Sequence, residues 1–356
     1  MKKELKLLKG NEALAEAIIR SGADAYFGYP ITPQSDILEY LMAENATERT
    51  GMVVLQAESE IAAVNMVHGA GGCGKKAVTS SSSPGISLMV EAISYMVGAE
   101  VPCLIVNVVR GGPGLGTIQP SQCDYFQAVK GGGHGDYKTI VLAPASSQDM
   151  CDYVPLSFDL AFKYRNPVMI LSDGAIGSMM EKVELFEQMP RETTEYPWAT
   201  TGKTKNRERN LIFSLSLEAE GQERRNIAFQ EKFRTIEKNE VRYEAINVED
   251  AEYLLVGYGL SARLCQKVVQ LYRQKGVKIG LLRPITLWPF PTKILQELAP
   301  QLKGILSVEM SAGQMIEDIR LAVNGQVRVE HYGRMGGMIA SPIEVLEAFQ
   351  SFFLNR

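Results

Sequence analysis

Residues 103–116 read Cys103-Leu-Ile-Val-Asn-Val-Val-Arg110 and then Gly111-Gly-Pro-Gly-Leu-Gly116. A near-continuous apolar run of this length, ending at a loop signal, predicts a strand at 103–109 buried on both faces, as in a parallel sheet covered by helices. Working outward, Lys76–Ser80 reads as a strand ending in SSSSPG, joined by a helical Ile86–Gly98. Further upstream, Gly10–Ser21 has helical apolar spacing at Leu14, Ala17 and Ile18, and Ala25–Tyr29 is a short strand entering a proline-rich loop. Val53–Gln56 is another strand, and Ser59 precedes a small-residue helix at Glu60–Gly71. Downstream, strands at Thr139–Ala143 and Val168–Ser172 flank a helix at Ser146–Tyr164. The alternation predicts an α/β fold, a doubly wound parallel sheet built from βαβ units.

The character changes at Thr201–Asn247, where ten Lys or Arg and eight Asp or Glu crowd 47 residues and Phe229, Phe233 and Ile236 stand at helical spacing. This stretch reads as a charged linker with one amphipathic helix. From Tyr253–Val256 the strand–helix pattern restarts, with a helix at Ser261–Gln274, a strand at Lys278–Leu282, a loop RPITLWPFP, a strand at Gly304–Glu309 and a last strand near Val327–Glu330. A second, smaller α/β unit is expected, and a length of 356 residues suits two units.

Composition excludes several classes. Apolar residues make up 46% and charged residues 22%, as in ordinary globular proteins. A net charge of -4 with both signs interspersed offers no basic field for nucleic acid. The amino terminus has no apolar run of signal length, and the greasiest stretch, Ser87–Val109, is interrupted by Glu91 and Glu100. The expected location is the cytoplasm, without membrane attachment. Cysteines 73, 103, 123, 151 and 265 include no CxxC pair, so neither an iron–sulfur cluster nor structural zinc is expected on this chain.

Four features could carry chemistry. In GYPITPQSD, Gly28–Asp36, two prolines fix a loop past a strand's carboxyl end, where open α/β sheets place ligands, and hold Thr32 between them. A tight turn with Ser35 or Asp36 as the next helix's N-cap accounts for the same residues. Glu60 in QAESEIAAV opens a helix; it either complements the helix dipole or is a partly buried carboxylate suited to a proton relay, and Glu58 competes for both roles. Arg110 could offer its planar fork to a carboxylate substrate or pair with an acid at the surface. The glycine-rich region, Arg110–Asp136, could approach a phosphate or flat ring, but it carries neither a Walker nor a dinucleotide fingerprint. His134 within it is a candidate acid or base, or incidental.

Taken in order, KGNEALAEAIIRSGADAYFGYPITPQSD, QAESEIAAVNMVHGA, TSSSSPGISLM, VNVVRGGPGLG and KGGGHGDY resemble the pyrimidine-domain (alpha-type) subunit of the 2-oxoacid:ferredoxin oxidoreductases over nearly the whole chain. GGPGLGTIQPSQCDYFQAVKGGGHGDY is most similar to the branch acting on branched-chain 2-oxoacids such as 2-oxoisovalerate, and less similar to the 2-oxoglutarate branch. LRPITLWPFP and VEMSAGQMIEDIR resemble the transketolase carboxyl-terminal domain. The resemblance implies a pyrimidine-binding domain at 1–195, a linker at 196–247 and a transketolase C-terminal-like domain at 248–356.

It also implies roles. Glu60 matches the glutamate that hydrogen-bonds N1′ of the aminopyrimidine of thiamine diphosphate, and Thr32 and Arg110 match residues facing the substrate's carboxylate and keto group. Pro30, Ile31 and Gly85 are implied as further cofactor contacts. The family's GDG motif and downstream asparagine are missing, since only SDG occurs at Ser172–Gly174 with no Asn at the expected distance. The diphosphate, its Mg²⁺ and the iron–sulfur clusters are therefore expected on partner chains: a thiamine-diphosphate-domain (beta) subunit, a gamma-type subunit and a ferredoxin-like cluster subunit. Coenzyme A is the implied cosubstrate, and association with a second copy of the chain is also implied. The alternatives are a subunit acting on 2-oxoglutarate, pyruvate or indolepyruvate, and a non-catalytic assembly subunit with the same fold.

Overall fold

The structure, a computed structural model, describes residues 4–203, 205 and 207–355. Residues 1–3 of the first expected unit, 204 and 206 of the expected linker and 356 of the last unit lie outside the described residues. Among the described residues fourteen strands are formed: Glu4–Lys9 (β1), Ala25–Gly28 (β2), Val53–Gln56 (β3), Ala77–Ser81 (β4), Cys103–Val109 (β5), Ile140–Leu142 (β6), Pro167–Asp173 (β7), Met180–Leu185 (β8), Tyr243–Ile246 (β9), Tyr253–Val256 (β10), Ile279–Pro284 (β11), Thr286–Trp288 (β12), Gly304–Glu309 (β13) and Val329–Gly333 (β14).

The first sheet has the order β12-β6-β7-β5-β4-β2-β3. Every residue of β5 is buried, and β5 pairs in parallel with β4 on one side and with all seven residues of β7 on the other. That is the two-sided burial that the apolar run at 103–109 predicts. After β2 the chain steps outward to β3 and then returns across β2 to place β4 on its other side. The reversal leaves a crevice at the carboxyl ends of β2 and β4, where doubly wound sheets bind ligands. The second sheet, β14-β13-β10-β11-β9, is parallel except for β9.

Three pieces differ from the expected pattern. RPITLWPFP is not only loop: Arg283 and Pro284 finish β11, and β12 crosses to the first sheet and pairs antiparallel with β6. Within the stretch read as linker, the helix Ala219–Asn239 buries Phe229, Phe233 and Ile236 as its spacing predicts, but Tyr243–Ile246 is a strand of the second sheet. The Phe233 ring meets Trp288 of β12 edge-on at 5.8 Å, so this helix packs on the first sheet's added edge. Third, β1 pairs antiparallel with β8 in a two-stranded ribbon. Its charged–apolar alternation breaks at Leu7–Leu8 and only Leu8 is buried, which leaves a weak strand signal in the sequence. One apolar core runs through both units, joining Val106 and Ile170 of the first sheet to Leu254 and Ile305 of the second. A smaller core, with Phe349 and Val268, covers the other face of the second sheet.

The helix Gly10–Arg20 carries a fully buried Glu16 whose carboxylate accepts from Arg20 Nε (2.6 Å), both terminal nitrogens of Arg49 (3.0 Å each) and Tyr40 Oη (3.3 Å). Burial raises the carboxyl's pKa, but the Arg49 and Arg20 hydrogen bonds outweigh it and leave the pKa below its ordinary value. The folded pKa lies below the unfolded one, so this stabilisation is complete above about pH 4.3 and is lost as pH falls through the folded value. Glu16→Gln removes the carboxylate that Arg20 and Arg49 share while Arg20 keeps Glu4 and Phe186 O and Arg49 keeps Glu44, so it is expected to cost about 1–3 kcal/mol at pH 7. Urea unfolding should show the gap between parent and variant narrowing as the pH drops below about 4.

Candidate active site

Four loops meet at the crevice. The loop after β2 is held from beneath by Gln34, whose amide donates to Tyr29 O (3.0 Å) and accepts from Ser80 Oγ (2.5 Å), while Ser80 also bonds Tyr26 Oη (2.5 Å). Asn11 Nδ2 ties Pro33 O from the side at 2.9 Å. The clamps leave Pro30 and Thr32 exposed and Ile31 half-buried over the sheet's edge. Neither Ser35 nor Asp36 is the N-cap: the helix starts at Ser35 behind Gln34, and Asp36 pairs with Lys9 Nζ at 3.3 Å. The turn-and-cap account of these residues therefore fails at its cap, and the polar side chains instead fix the loop.

Arg110 emerges from the end of β5 only 8% exposed. Its guanidinium donates to Thr32 O (3.1 Å) and Leu115 O (3.0 Å), and its Nε is buried with no hydrogen-bond partner. Among the described residues no carboxylate pairs with it, so the surface ion-pair reading of Arg110 does not hold. A cation buried against two carbonyls is under-compensated, which is the condition for capturing an anion.

Ser83, after β4, has φ 26°, an uncommon conformation for a residue with a side chain. It is over-determined: its N–H donates to Asn107 Oδ1 (3.0 Å), and its hydroxyl accepts from Arg110 N (3.0 Å) and donates to Arg110 O (3.2 Å). Asn107, the one polar residue of β5, also donates to Asp124 Oδ2 at 2.9 Å. Beside this knot lies Glu60, 7% exposed in the first turn of its helix, with Ser59 as N-cap accepting from Ala62 N at 3.2 Å. Glu60's carboxylate has no hydrogen-bond partner among the described residues, and Glu58 is exposed. Gly85 faces Glu60 with a bare Cα: a Cβ there would stand 2.0 Å from Ser81 Oγ and 2.8 Å from Glu60 Oε1. The hydroxyls of Ser81 and Ser82 are buried and unpartnered. A carboxylate, orphaned hydroxyls and a side-chain-free wall fit the edge of a flat nitrogen heterocycle such as the aminopyrimidine of thiamine diphosphate.

Other residues fall elsewhere. The KGGGHGD run lies along the Pro84–Gly98 helix, where Gly133 N donates to Tyr137 Oη (2.9 Å) and His134 meets Tyr95 edge-on at 6.5 Å; it does not join Arg110. Asp173 of the SDG triplet is buried and accepts from Ala175 N, Ile176 N and Leu260 N at 3.0–3.1 Å. Burial raises its pKa and these donors oppose the rise. Gln122 binds the units together, donating to Tyr258 O (2.8 Å) and accepting from Ser261 Oγ and Met310 N (2.9 Å each). A cleft of about 610 Å³ opens between Ser83, Pro113 and Cys123 on one unit and Met310, Gln314 and Met335 on the other. Among the described residues no group of His, Cys, Asp and Glu side chains is disposed to hold a metal ion. Asn11, Gln34, Ser83, Asn107 and Gln122 were not singled out as site residues by sequence reasoning. Only Asn107 carries a signal, a polar residue inside an apolar strand.

Two α/β units in this order define a thiamine-diphosphate-enzyme fold of transketolase type: a split-gene transketolase, an inactive β4 tetramer, superposes with a TM-score of 0.60 over 97% of both chains at 12% identity. A profile described as pyruvate flavodoxin/ferredoxin oxidoreductase, thiamine diP-bdg, matches residues 16–253, and one described as pyruvate:ferredoxin oxidoreductase core domain II matches 251–345. The chain belongs to the 2-oxoacid:ferredoxin oxidoreductase family. It is 48% identical, over 96% of each chain, to the ketoisovalerate oxidoreductase subunit VorB of Methanothermobacter thermautotrophicus. The 2-oxoglutarate synthase subunit KorA of Methanocaldococcus jannaschii is 32% identical, over 97% of this chain and 99% of that one. The 2-oxoglutarate:ferredoxin oxidoreductase of Magnetococcus marinus, solved with 2-oxoglutarate, coenzyme A and succinyl-CoA, matches with a TM-score of 0.87 at 26% identity. That match covers 98% of this chain and 65% of the other, so this chain spans a little under two thirds of its length.

The Glu60–Gly85 wall has a direct test. Gly85→Ala forces the new methyl into Ser81 Oγ and is expected to cost about 1–3 kcal/mol, despite alanine's helix preference of about 1 kcal/mol. Adding Ser81→Ala should recover part of the loss in thermal unfolding.

Proposed function

We propose that this chain is the pyrimidine-side subunit of a 2-oxoacid:ferredoxin oxidoreductase that converts a branched-chain 2-oxoacid of the 2-oxoisovalerate type, with coenzyme A, to the acyl-CoA and CO₂. Two electrons leave singly for two ferredoxin-type acceptors and one proton is released, which balances the reaction. The single observation that carries this reading is the buried, acid-free Arg110, tied to Thr32 across the crevice from Glu60. The substrate class is supported by the VorB relatives at 48% identity, against 30–34% for the 2-oxoglutarate relatives.

Thiamine diphosphate, when bound, supplies the nucleophilic carbon and the electron sink for decarboxylation. Glu60 would hold the proton shared with the ring nitrogen N1′, and Pro30, Ile31 and Gly85 would line the ring. Arg110 retains further N–H groups on its terminal nitrogens for the substrate carboxylate after serving Thr32 and Leu115. Its fork would orient the 2-oxoacid with the Thr32 loop beside the keto group. The diphosphate's magnesium and the iron–sulfur clusters would belong to the beta, gamma and ferredoxin-like partners, a reading supported by the commitment of Asp173 to three backbone amides.

Glu60→Gln in the assembled complex keeps size but removes the carboxylate. Deuterium exchange at the cofactor's C2, followed by NMR after acid quench, should slow by about 10²–10⁴ with assembly intact, while Glu58→Gln leaves it unchanged. Undiminished exchange in Glu60→Gln would return Glu60 to a dipole-complementing role. Arg110→Lys should weaken use of 2-oxoacid while cofactor binding persists, because an ammonium cannot supply the fork. A viologen-coupled substrate panel on the native complex tests the substrate class: higher kcat/KM for 2-oxoglutarate than for 2-oxoisovalerate would overturn it.

A further inference from the structure

The glycine-rich segment after Arg110 is a fixed hairpin. Gly111 N donates to Gln119 O (2.9 Å), Thr117 N donates to Gly111 O (2.8 Å), and Arg110 bridges Pro120. Gly114 and Gly116, at φ 69° and 57°, put left-handed turns on either side of Leu115. A Cβ on Gly116 would stand 1.7 Å from Gly111 O, so the hairpin closes only with glycine there. The Thr117 methyl turns inward, toward Gly111 and Gly337. Leu115 and Ile118 turn outward and are 81% and 55% exposed.

Leu115 is therefore rigidly placed by its backbone, through the carbonyl that Arg110 Nη2 binds at 3.0 Å, and its side chain adds nothing to this chain's core. A large apolar side chain on the residue whose carbonyl an under-compensated guanidinium binds has a counterpart in a ligand that is anionic at one end and aliphatic at the other. No residue from Gly111 to Pro120 is ionisable, so a second carboxylate would meet no cation on the hairpin.

We propose that Leu115, with Ile118, is the specificity-determining wall of the site: with the substrate carboxylate on Arg110, the branched aliphatic end of the 2-oxoacid lies against these side chains. This rests on the function proposed above. Apolar contact selects by size, at about 10–200-fold per methylene-scale difference, and the uncharged hairpin leaves a dicarboxylate's far end unpaired.

The test uses the purified native complex with a viologen acceptor and three substrates: 2-oxoisovalerate, pyruvate and 2-oxoglutarate. Leu115→Ala should lower kcat/KM for 2-oxoisovalerate relative to pyruvate, whose methyl is too short to reach the wall, by at least about tenfold. Leu115→Lys should raise the 2-oxoglutarate to 2-oxoisovalerate ratio, and both variants should keep the parent's coenzyme A KM and its size on gel filtration. Ratios within twofold of the parent in both variants overturn the proposal. So does dissociation of the complex, which would make Leu115 a subunit contact. The parent's own ranking reports on the proposed function separately: a parent preferring 2-oxoglutarate sinks that function and this wall with it, whereas a parent preferring 2-oxoisovalerate with unresponsive variants sinks only the wall.

Discussion

A guanidinium buried at the end of a two-sided strand, with two carbonyls for partners and no carboxylate among the described residues, is the constraint around which this molecule is arranged. Placing a cation there is costly unless geometry supplies several acceptors' worth of compensation. The surrounding chain provides part of it. The Thr32 loop is locked by Gln34 and Asn11 so that its carbonyl faces Arg110, and the hairpin folds back so that the Leu115 carbonyl does the same. Ser83 is held at an unfavourable φ because its hydroxyl bonds both the N–H and the carbonyl of Arg110. The remaining deficit sits at Nε, which is buried without a hydrogen-bond partner.

The second unit is more than an appendage to this arrangement. β12 extends the first sheet from a chain position far beyond it, and one apolar core is shared by both units. Gln122 and Asp173 give their polar atoms to backbone and side-chain groups of the second unit, so the two sheets are joined by buried hydrogen bonds whose loss would strand polar groups. Such a joint is stiff, and it fixes the cleft beside Ser83 between Pro113 and Met310.

The Glu60 side of the crevice uses a different device. Glycine at position 85 removes the atom that would otherwise fill the space between Ser81 and Glu60, and the orphaned hydroxyls and carboxylate keep their hydrogen-bonding capacity. A site built this way stores unsatisfied polarity within a rigid wall, which costs stability in the isolated chain and is recovered when a ligand with matching edge polarity binds.

By itself the sequence determined the strands and helices of the parallel sheet, because two-sided burial and helical spacing are local patterns, and β5 ends where the run Cys103–Val109 does. It also determined Thr32, Glu60 and Arg110 as candidates, since each sits just past a strand or opens a helix, while Gly85 was implied only by the family resemblance. Tertiary structure alone decided which candidates meet: Arg110 reaches Thr32, Glu60 is buried while Glu58 is exposed, and His134 is left on a helix flank. It alone recruited β12 and β9 across the units and β1 to β8, since short strands acquire their identity from the partner that takes their hydrogen bonds. Gln34 and Asn11 were illegible for the same reason: an amide's role is set by which carbonyls the fold brings within about 3 Å of it, and no local pattern records that.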